Sequence, residues 1–490
     1  MCSSDLSRAD VIEISPEVVD ASRYFAADNR QALDDPRTRL IVGDGRSHLL
    51  LSSQQYDVIV SEPSNPWMAG VAALFTREFF TAVRRRLAPG GIVCQWAHTY
   101  DISEADFRSI LATFLAVFPG ATAWLVGDSD VLLVASTSPI DDLLANVARG
   151  WQRSGVAAGL RAQSVLEPFE ILSLFAAGPA EISRFAAGAA VQTDDRTALE
   201  FSGPRAVANR TSRDNASALR QAVDEKAAPA AIRQAREAAT APEWRNRGAM
   251  LLAANDYGNA FDAYLSSLTR EATDAASLDG FVRTSIAAHA EERALTLLES
   301  WAGTHPRDPS IRIAMSRLLA ATGALDRAID IAAEACRIAP GTPAALEQLA
   351  SILADVGDVE RLDPVVAELQ RAAPLRAATE YYAGAARYLR RDLPAALGLV
   401  RQATTIDPGY AAAHNLTGAI EAMLGHTVEA RRALETALRL DARDAATYVN
   451  LGLLEMSADN RAAAAGYFAE ALSLDPKSTA ARAGFARARQ

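Results

Sequence analysis

Small and large apolar residues recur along the carboxy-terminal half of this chain with a period of 34 residues. Pro306, Pro340, Pro374, Pro408 and Pro476 stand on that interval, with Ala442 at the remaining step. From Pro340 onward each closes a similar phrase: RIAP, RAAP, TIDP, RLDA, SLDP. Within one period Gly418, Gly425, Ala430 and Ala437 hold the small positions; in the next, Tyr448, Leu451, Gly452, Ala464, Phe468 and Ala471 fall at helical spacing. Earlier periods drift, but Gly323, Ala328, Ala335 and Gly357 keep the phase. A fixed period of this length predicts stacked helical hairpins, none of which can bury its apolar face alone. The phase gives seven copies over 241–476, beginning near Trp244, with a capping helix in 477–490.

The amino-terminal part has a different pattern. Short apolar runs, ADVIEIS, TRLIV, YDVIVS and IVCQW, alternate with stretches of helical periodicity. Pro16 opens the first helix, over Val18, Val19, Ser22, Phe25 and Ala26. The helix FTREFFTAVRRRLA is stopped by Pro89-Gly90-Gly91. The run YDVIVS is continuously apolar, as expected of a buried parallel strand. Two later strands, ATAWLVG and VLLVAS, flank Asp128-Ser129-Asp130 as a hairpin. Strands alternating with helices predict a doubly wound α/β sheet over 7–138, with an antiparallel edge from the last hairpin. Residues 139–205 are expected to form a helical appendage, and 206–240, rich in Ala, Arg and Asp, a partly helical linker.

Composition narrows the possibilities. At 490 residues the chain is too long for one core, so two or three units are expected. A net charge of −11 argues against non-specific nucleic-acid binding, which needs a basic footprint. Cys2, Cys94 and Cys336 have no metal-ligand spacing, and no His/Cys cluster suggests a metal. The cysteine usage suits a reducing compartment, and a cytoplasmic location is expected. No run of about 18 apolar residues is present and no signal peptide is visible. The chain starts MCSSDL; Cys-Ser-Ser-Asp-Leu is what the end of a common sequencing adaptor encodes in one frame, and these six residues are expected to be an artefact.

Three acids mark the candidate chemistry. Glu13 ends the first strand, where two carboxylate oxygens suit the vicinal hydroxyls of a ribose. Asp44 stands in Gly43-Asp44-Gly45 after the second strand, where a short acid can accept from an exocyclic amine and the glycines admit a flat ligand. Glu62 follows the third strand, in SEPSNPW. All three are at the carboxyl ends of strands, where sheets of this kind bind ligands.

At these motifs the chain resembles a known family. VIEISPEVVDASRYF, RLIVGDGRSHLL, YDVIVSEPSNPW and LFTREFFTAVRRRLAPGGIVCQW, in that order, are similar to the spermidine synthase (aminopropyltransferase) family. They most resemble a bacterial branch often fused behind a multi-span membrane domain, as does the closing TDDRTALEFSGPR. The resemblance covers about 9–205 and implies the fold of S-adenosylmethionine-dependent methyltransferases. It implies that Glu13, with Ile14, holds the nucleoside ribose and that Asp44 and Gly45 hold the adenine side. The donor would be S-adenosylmethionine or its decarboxylated form, whose sulfonium activates the carbon with no metal. Glu62 would be the base that takes a proton from the attacking amine, and Gln95 a pocket glutamine. The family motif after the third strand reads like DSSDP. Here its first acid becomes Glu62 and its second becomes Asn65, which supplies no negative charge for a cationic diamine. Trp67 adds a bulky ring beside the site.

The strand and glycine-rich turn that cradle the donor's methionine-derived tail do not precede Glu13 in this sequence, so a truncated domain with weak nucleoside binding is expected. A membrane domain ahead of it in a parent chain would tether it to a membrane. The carboxy-terminal periods resemble tetratricopeptide repeats, which implies a protein or peptide partner on their concave face. Asn246 and Asn450 fall where that family often meets a peptide backbone. A clamp for a peptide carboxylate is not expected, because Lys226 and Lys477 are the only lysines. The alternatives are a non-catalytic scaffold with a vestigial transferase domain, and methyl transfer from the same donor.

Overall fold

The structure is a computed structural model, and it describes residues 6–68, 70–127, 129–153, 155–163, 165–206, 212–221 and 228–489. The chain divides into two compact units, Met1–Arg270 and Glu271–Gln490.

Among its described residues the first unit holds seven strands: β1 (Ala9–Glu13), β2 (Thr38–Val42), β3 (Tyr56–Ser61), β4 (Leu87–His98), β5 (Thr122–Val126), β6 (Asp130–Ser136) and β7 (Phe175–Ala177). Strands β1 and β2 form a parallel pair with Glu13 opposite Val42. The other five lie in the order β3-β4-β6-β5-β7. Only β3 and β4 are parallel in that sheet; the β5–β6 hairpin and β7 are antiparallel. The doubly wound sheet with a hairpin edge is therefore present, in two pieces.

Among the described residues β1 pairs only with β2, and β3 only with β4. The expectation of a buried third strand fails for this reason. Val58 and Val60 are 51% and 67% exposed on an edge strand, although the run is apolar throughout. Strand β7 was not foreseen. Its three residues, Phe-Ala-Ala, fall inside the expected helical appendage and are too short to show a period. Strand β4 starts at Leu87, five residues before the expected Ile92, because Pro89-Gly90-Gly91 bends within the strand instead of ending the chain's run before it. Gly91 is required there: a Cβ would stand 2.9 Å from the Ala88 carbonyl oxygen and 3.0 Å from that of Tyr56.

Helices α1 (Pro16–Ala21), α2 (Gly45–Leu51), α3 (Arg77–Arg86) and α4 (Glu104–Val117) follow strands, and each starts at a capping side chain. Ser15, Asp44, Thr76 and Ser103 accept from backbone N–H groups of the first turn, which the helix itself leaves unpaired. The core lies between the five-stranded sheet and α3 and α4, around Phe80, Phe107, Phe114 and Leu133. Phe80 and Phe114 meet edge to face at 5.0 Å.

Helices α5 (Ile140–Trp151), α6 (Val156–Arg161), α7 (Pro168–Leu172), α8 (Pro179–Phe185) and α9 (Leu199–Ala206) make up the appendage with β7. The stretch 206–240, expected as a partly helical linker, contributes α10 (Ser212–Gln221) and α11 (Ala230–Ala238). Both are fastened to the sheet. Leu219 is buried in the main core, Ile232 is buried with Trp124 and Phe175, and Asn215 donates to the carbonyls of Thr99 (2.8 Å) and Ile102 (2.9 Å). The first repeat hairpin, α12 (Ala241–Ala253) and α13 (Tyr257–Leu268), lies in the same unit. Trp244 packs on Phe169 at 4.7 Å, and Arg220 bonds Asp256 at 3.2 Å.

The second unit is helical hairpins throughout: α14 (Ala275–Ala287) with α15 (Glu291–Thr304), α16 (Pro309–Ala321) with α17 (Leu325–Ile338), α18 (Pro343–Asp355) with α19 (Val359–Ala372), α20 (Ala377–Leu389) with α21 (Leu393–Ile406), α22 (Ala411–Met423) with α23 (Thr427–Leu440), and α24 (Ala445–Ser457) with α25 (Arg461–Leu474). A final helix, α26 (Thr479–Ala488), follows. This is a solenoid of helical hairpins with the tetratricopeptide period of 34 residues.

Its period is visible in one backbone angle. Asn255, His289, Gly323, Gly357, Arg391, Gly425 and Asp459, one per hairpin and 34 residues apart, all have positive φ, between 54° and 86°. Each is followed by an amide that reaches back to the carbonyl five residues earlier, as Ala324 does to Leu319 and His426 to Glu421 (both 2.9 Å). These are Schellman endings, which satisfy the last carbonyls of the first helix and turn the chain into the second. A second register is steric. Gly384, Gly418 and Gly452 stand where the two helices of a pair cross, and a Cβ would lie 2.6 Å from Val400, 2.5 Å from Leu434 and 2.7 Å from Phe468.

Candidate functional site

Of the seven candidate residues of the α/β domain, Glu13 and Gln95 lie in strands, and Ile14, Asp44, Gly45, Glu62 and Asn65 follow the ends of β1, β2 and β3. Glu13 ends β1 half-buried, and one of its carboxylate oxygens accepts from the Ser15 N–H at 2.8 Å. That leaves its second oxygen for another donor. Ile14, the next residue, is 70% exposed. Asp44 is the N-cap of α2. Its Oδ1 accepts from the Arg46 N–H (3.2 Å), and its Oδ2 from the Ser47 N–H (3.0 Å) and hydroxyl (2.5 Å). The Ser47 hydroxyl is the largest influence holding the Asp44 carboxyl below the usual carboxylate range. Gly45 opens α2, and a Cβ there would meet only Ile12 at 3.9 Å, an ordinary contact.

Gln95 lies in β4 of the larger sheet, and Glu62 and Asn65 follow β3 of the same sheet. Ser61, the last residue of β3, is paired with Gln95 of β4, so Glu62 emerges beside the end of β4. Glu62 is exposed. Its charge, after burial, is the second influence raising the Cys94 thiol. Asn65 is half-buried and starts a turn in which its carbonyl accepts from the Met68 N–H at 3.0 Å. Gln95 is fully buried and faces the core with Val93 and Ala97. Its Nε2 donates to the Trp96 carbonyl at 3.0 Å, while Oε1 has no partner among the described residues.

The sequence reading missed His98. It ends β4 on the face opposite Gln95, 1% exposed, and neither ring nitrogen has a partner among the described residues. Trp67 meets it edge to face at 5.0 Å, and Trp96 and Tyr100 lie 5.3 and 4.6 Å away. Burial pushes the imidazole down to about 4, against the pull of Asp130 and Asp101, so it is neutral at pH 7. The alternation Trp96, His98, Tyr100 at a strand end was its only signal in the sequence. Trp67 is thus part of an aromatic cluster around His98.

The segment TDDRTALEF has a structural part. Arg46 of α2 forms an ion pair with Asp194 and donates to the Ala73 carbonyl at 2.9 Å. The Thr76 hydroxyl donates to Asp194 at 2.8 Å. One carboxylate therefore ties the helix after β2 to the start of α3. Among the described residues no group of three His, Cys, Asp or Glu side chains could hold a metal, and no helix is long and apolar enough to cross a membrane.

Fold and site together give an α/β domain with acids at or just past three strand ends, followed along the chain by an array of helical hairpins. Residues 4–126 match the family model described as "Spermine/spermidine synthase domain", so the chain carries a domain of that type at its amino end. Putrescine N-methyltransferase 2 of Nicotiana tabacum is 34% identical over 122 residues, which are 24% of this chain and 34% of that protein. Spermidine synthase 1 of Datura stramonium is 32% identical over 124 residues, 25% of this chain and 40% of that protein. The chain thus spans about a third of the length of the curated relatives it matches. Among solved structures, a thermophilic TPR protein of Thermus thermophilus is 24% identical, covering 37% of this chain and 98% of that one, with a TM-score of 0.34. A tetratricopeptide repeat protein from Parabacteroides merdae is 13% identical, covering 51% of this chain and 99% of that one, with a TM-score of 0.41.

Proposed function

We propose that the α/β domain is part of an enzyme that transfers an alkyl group from an adenosyl-sulfonium donor to an amine, and that the repeats recruit a protein or peptide partner. One observation carries the reading. Glu13, Asp44 and Glu62 follow β1, β2 and β3 in turn, at or just past their carboxyl ends, inside the stretch that matches the synthase model. In this reading Glu13 accepts the ribose hydroxyls with the oxygen that Ser15 leaves free, Ile14 lies against the nucleoside, and Asp44 and Gly45 line the adenine side. The amine lone pair attacks the carbon beside the sulfonium. The C–S bond breaks with its electrons passing to sulfur, which leaves as a neutral thioether. The amine proton passes to the Glu62 carboxylate. Asn65 and Gln95 line the acceptor side. With Asn65 in the second acid's place, a monoamine or a less highly charged amine is a better acceptor than a dication.

The donor is decarboxylated S-adenosylmethionine for aminopropyl transfer. It is S-adenosylmethionine for methyl transfer, the runner-up supported by the similarity to putrescine N-methyltransferases. The test is calorimetric titration of the full chain with each donor, followed by turnover with putrescine and with monoamines. Glu62→Gln should keep donor binding and slow turnover at least about a hundredfold. The mass of the product names the group transferred. A full chain that binds neither donor supports the second reading, a scaffold with a vestigial domain. That reading draws on Asp44, whose two oxygens are both taken up in capping α2.

A further inference from the structure

We propose that the cavity at the amino ends of β1, β2 and β3 binds a phosphate monoester of a small polar molecule, at a site separate from the candidate donor side.

The cavity lies between the β1–β2 pair, the last turn of α2 and the start of β3, and has a volume of about 440 Å³. Small-molecule sites run from roughly 300 to 1,000 Å³. Arg8, Asp10 and Arg39 line it from the small sheet. Asp10 and Arg39 are opposite each other in the β1–β2 register, and Arg8 is two residues before Asp10, so the three share one face. His48 reaches it from α2, and Tyr56 opens β3.

The state of each polar atom decides the sign of the ligand. Asp10 is the one acid among the lining residues, and its side chain is only 2% exposed. Arg8 donates to its Oδ1 at 2.6 Å and to its Oδ2 at 3.0 Å, and the Tyr56 hydroxyl donates to Oδ2 at 3.1 Å. A carboxylate only accepts, so the Tyr56 proton is committed to it. His48 Nε2, 2.9 Å from the Tyr56 oxygen, is then the donor of that bond. Arg8 and Asp10 cancel, and the acid offers little to a cation. Arg39 is what remains. Among the described residues its guanidinium has no hydrogen bond or ion pair. The last carbonyls of α2 would repel an anion, but Arg86 covers them, donating to those of Leu49 (2.9 Å) and Leu50 (3.4 Å).

The cavity is therefore left with one uncancelled positive charge, in a chain whose net charge is −11. A free planar guanidinium matches two oxygens of a phosphate at once. The space is larger than a bare ion needs, and Ser53 and Gln54 add uncharged polar groups for the hydroxyls of an ester. Glu13 and Asp44 stand at the other ends of β1 and α2, about 10 Å along each element from Asp10 and Leu51. A ligand here leaves the candidate donor side open.

The experiment is calorimetric titration of the full chain, in phosphate-free buffer, with glycerol phosphate, inositol monophosphate, the two parent alcohols and inorganic phosphate. At least one ester should bind, weaken with salt, and bind more tightly than inorganic phosphate, while the alcohols should not bind. Arg39 is exposed, so its variants should fold. Arg39→Gln should weaken the ester about tenfold, Arg39→Lys by less, and Glu13→Gln not at all. Failure of both esters, or equal binding of an alcohol, would overturn the proposal. So would undiminished binding by Arg39→Gln, which would put the anion elsewhere. Inorganic phosphate binding as tightly as the esters would overturn the ester and leave an ion site. Loss of binding in Glu13→Gln would overturn the separation from the donor side.

Discussion

At the scale of single residues the decisive facts are which polar atoms have partners and which do not. His98 is buried with neither ring nitrogen paired among the described residues, and its neighbours are aromatic. In the unfolded chain it takes up a proton near pH 6.5, an ordinary value for histidine. In the fold it does so only near 4. The folded state is the poorer proton binder, so stability is complete above the unfolded value and falls as the pH drops from 6.5 towards 4. The loss amounts to about 3 kcal/mol below that window. His98→Phe keeps a ring in the cluster and removes the titration. Urea midpoints at about pH 7.5 and pH 4.5 should therefore lie closer together in the variant than in the unmodified chain. A gap of the same size in both would place the acid sensitivity elsewhere. None of this was legible in QWAHTY, because burial and missing partners are properties of packing. The positions of Glu13, Asp44 and Glu62 were legible, since strand ends follow from apolar runs. The commitment of Asp44 to its own helix was not, since a cap and a ligand-binding acid look alike in one sequence.

At the scale of elements, glycine serves two different purposes in the repeats. Gly425 has φ of 83° and nothing within 4 Å of where a Cβ would stand, so it is there for its backbone alone. Gly418 has an ordinary helical backbone and is there because Leu434 comes so close. Gly425→Ala should cost about 1 kcal/mol, the price of a left-handed backbone. Gly418→Ala should cost more, about 1–3 kcal/mol, because Leu434 and the Ala430 carbonyl must both yield. Arg391 is in the same left-handed turn without the glycine, at φ 64°, and Arg391→Gly should stabilise by about 0.5–1 kcal/mol. Chemical denaturation followed at the transition of the helical unit orders these variants; an Arg391→Gly protein weaker than its parent would refute the account. The same contrast explains what the sequence disclosed. The period was readable because three turns kept glycine and five steps kept proline. The turns at Asn255, His289, Arg391 and Asp459 were silent, because their residue types say nothing of φ. Strand β7 was silent for a different reason: three apolar residues between helices carry no period.

At the scale of the whole molecule, the segment between sheet and repeats is part of the fold. Leu219 and Ile232 are fully buried against the strands, and Trp124 and Phe175 depend on α11 for cover. A chain ended after Arg205 should therefore melt at a lower temperature than one ended after Arg270, and should bind a hydrophobic dye that the longer one excludes. Equal melting temperatures would mean that α10 and α11 only rest on the surface. The unpaired side of β3 has a different consequence. Among the described residues its outer amide and carbonyl groups have no strand partner beside Val58 and Val60, with neither a lysine nor a proline in the strand to discourage a second chain. That edge is open to strand-to-strand pairing of two copies, a contact that uses both open sides and closes as a dimer. The net charge of −11 opposes that pairing, and salt, by screening the repulsion, favours it, so self-association should rise with ionic strength.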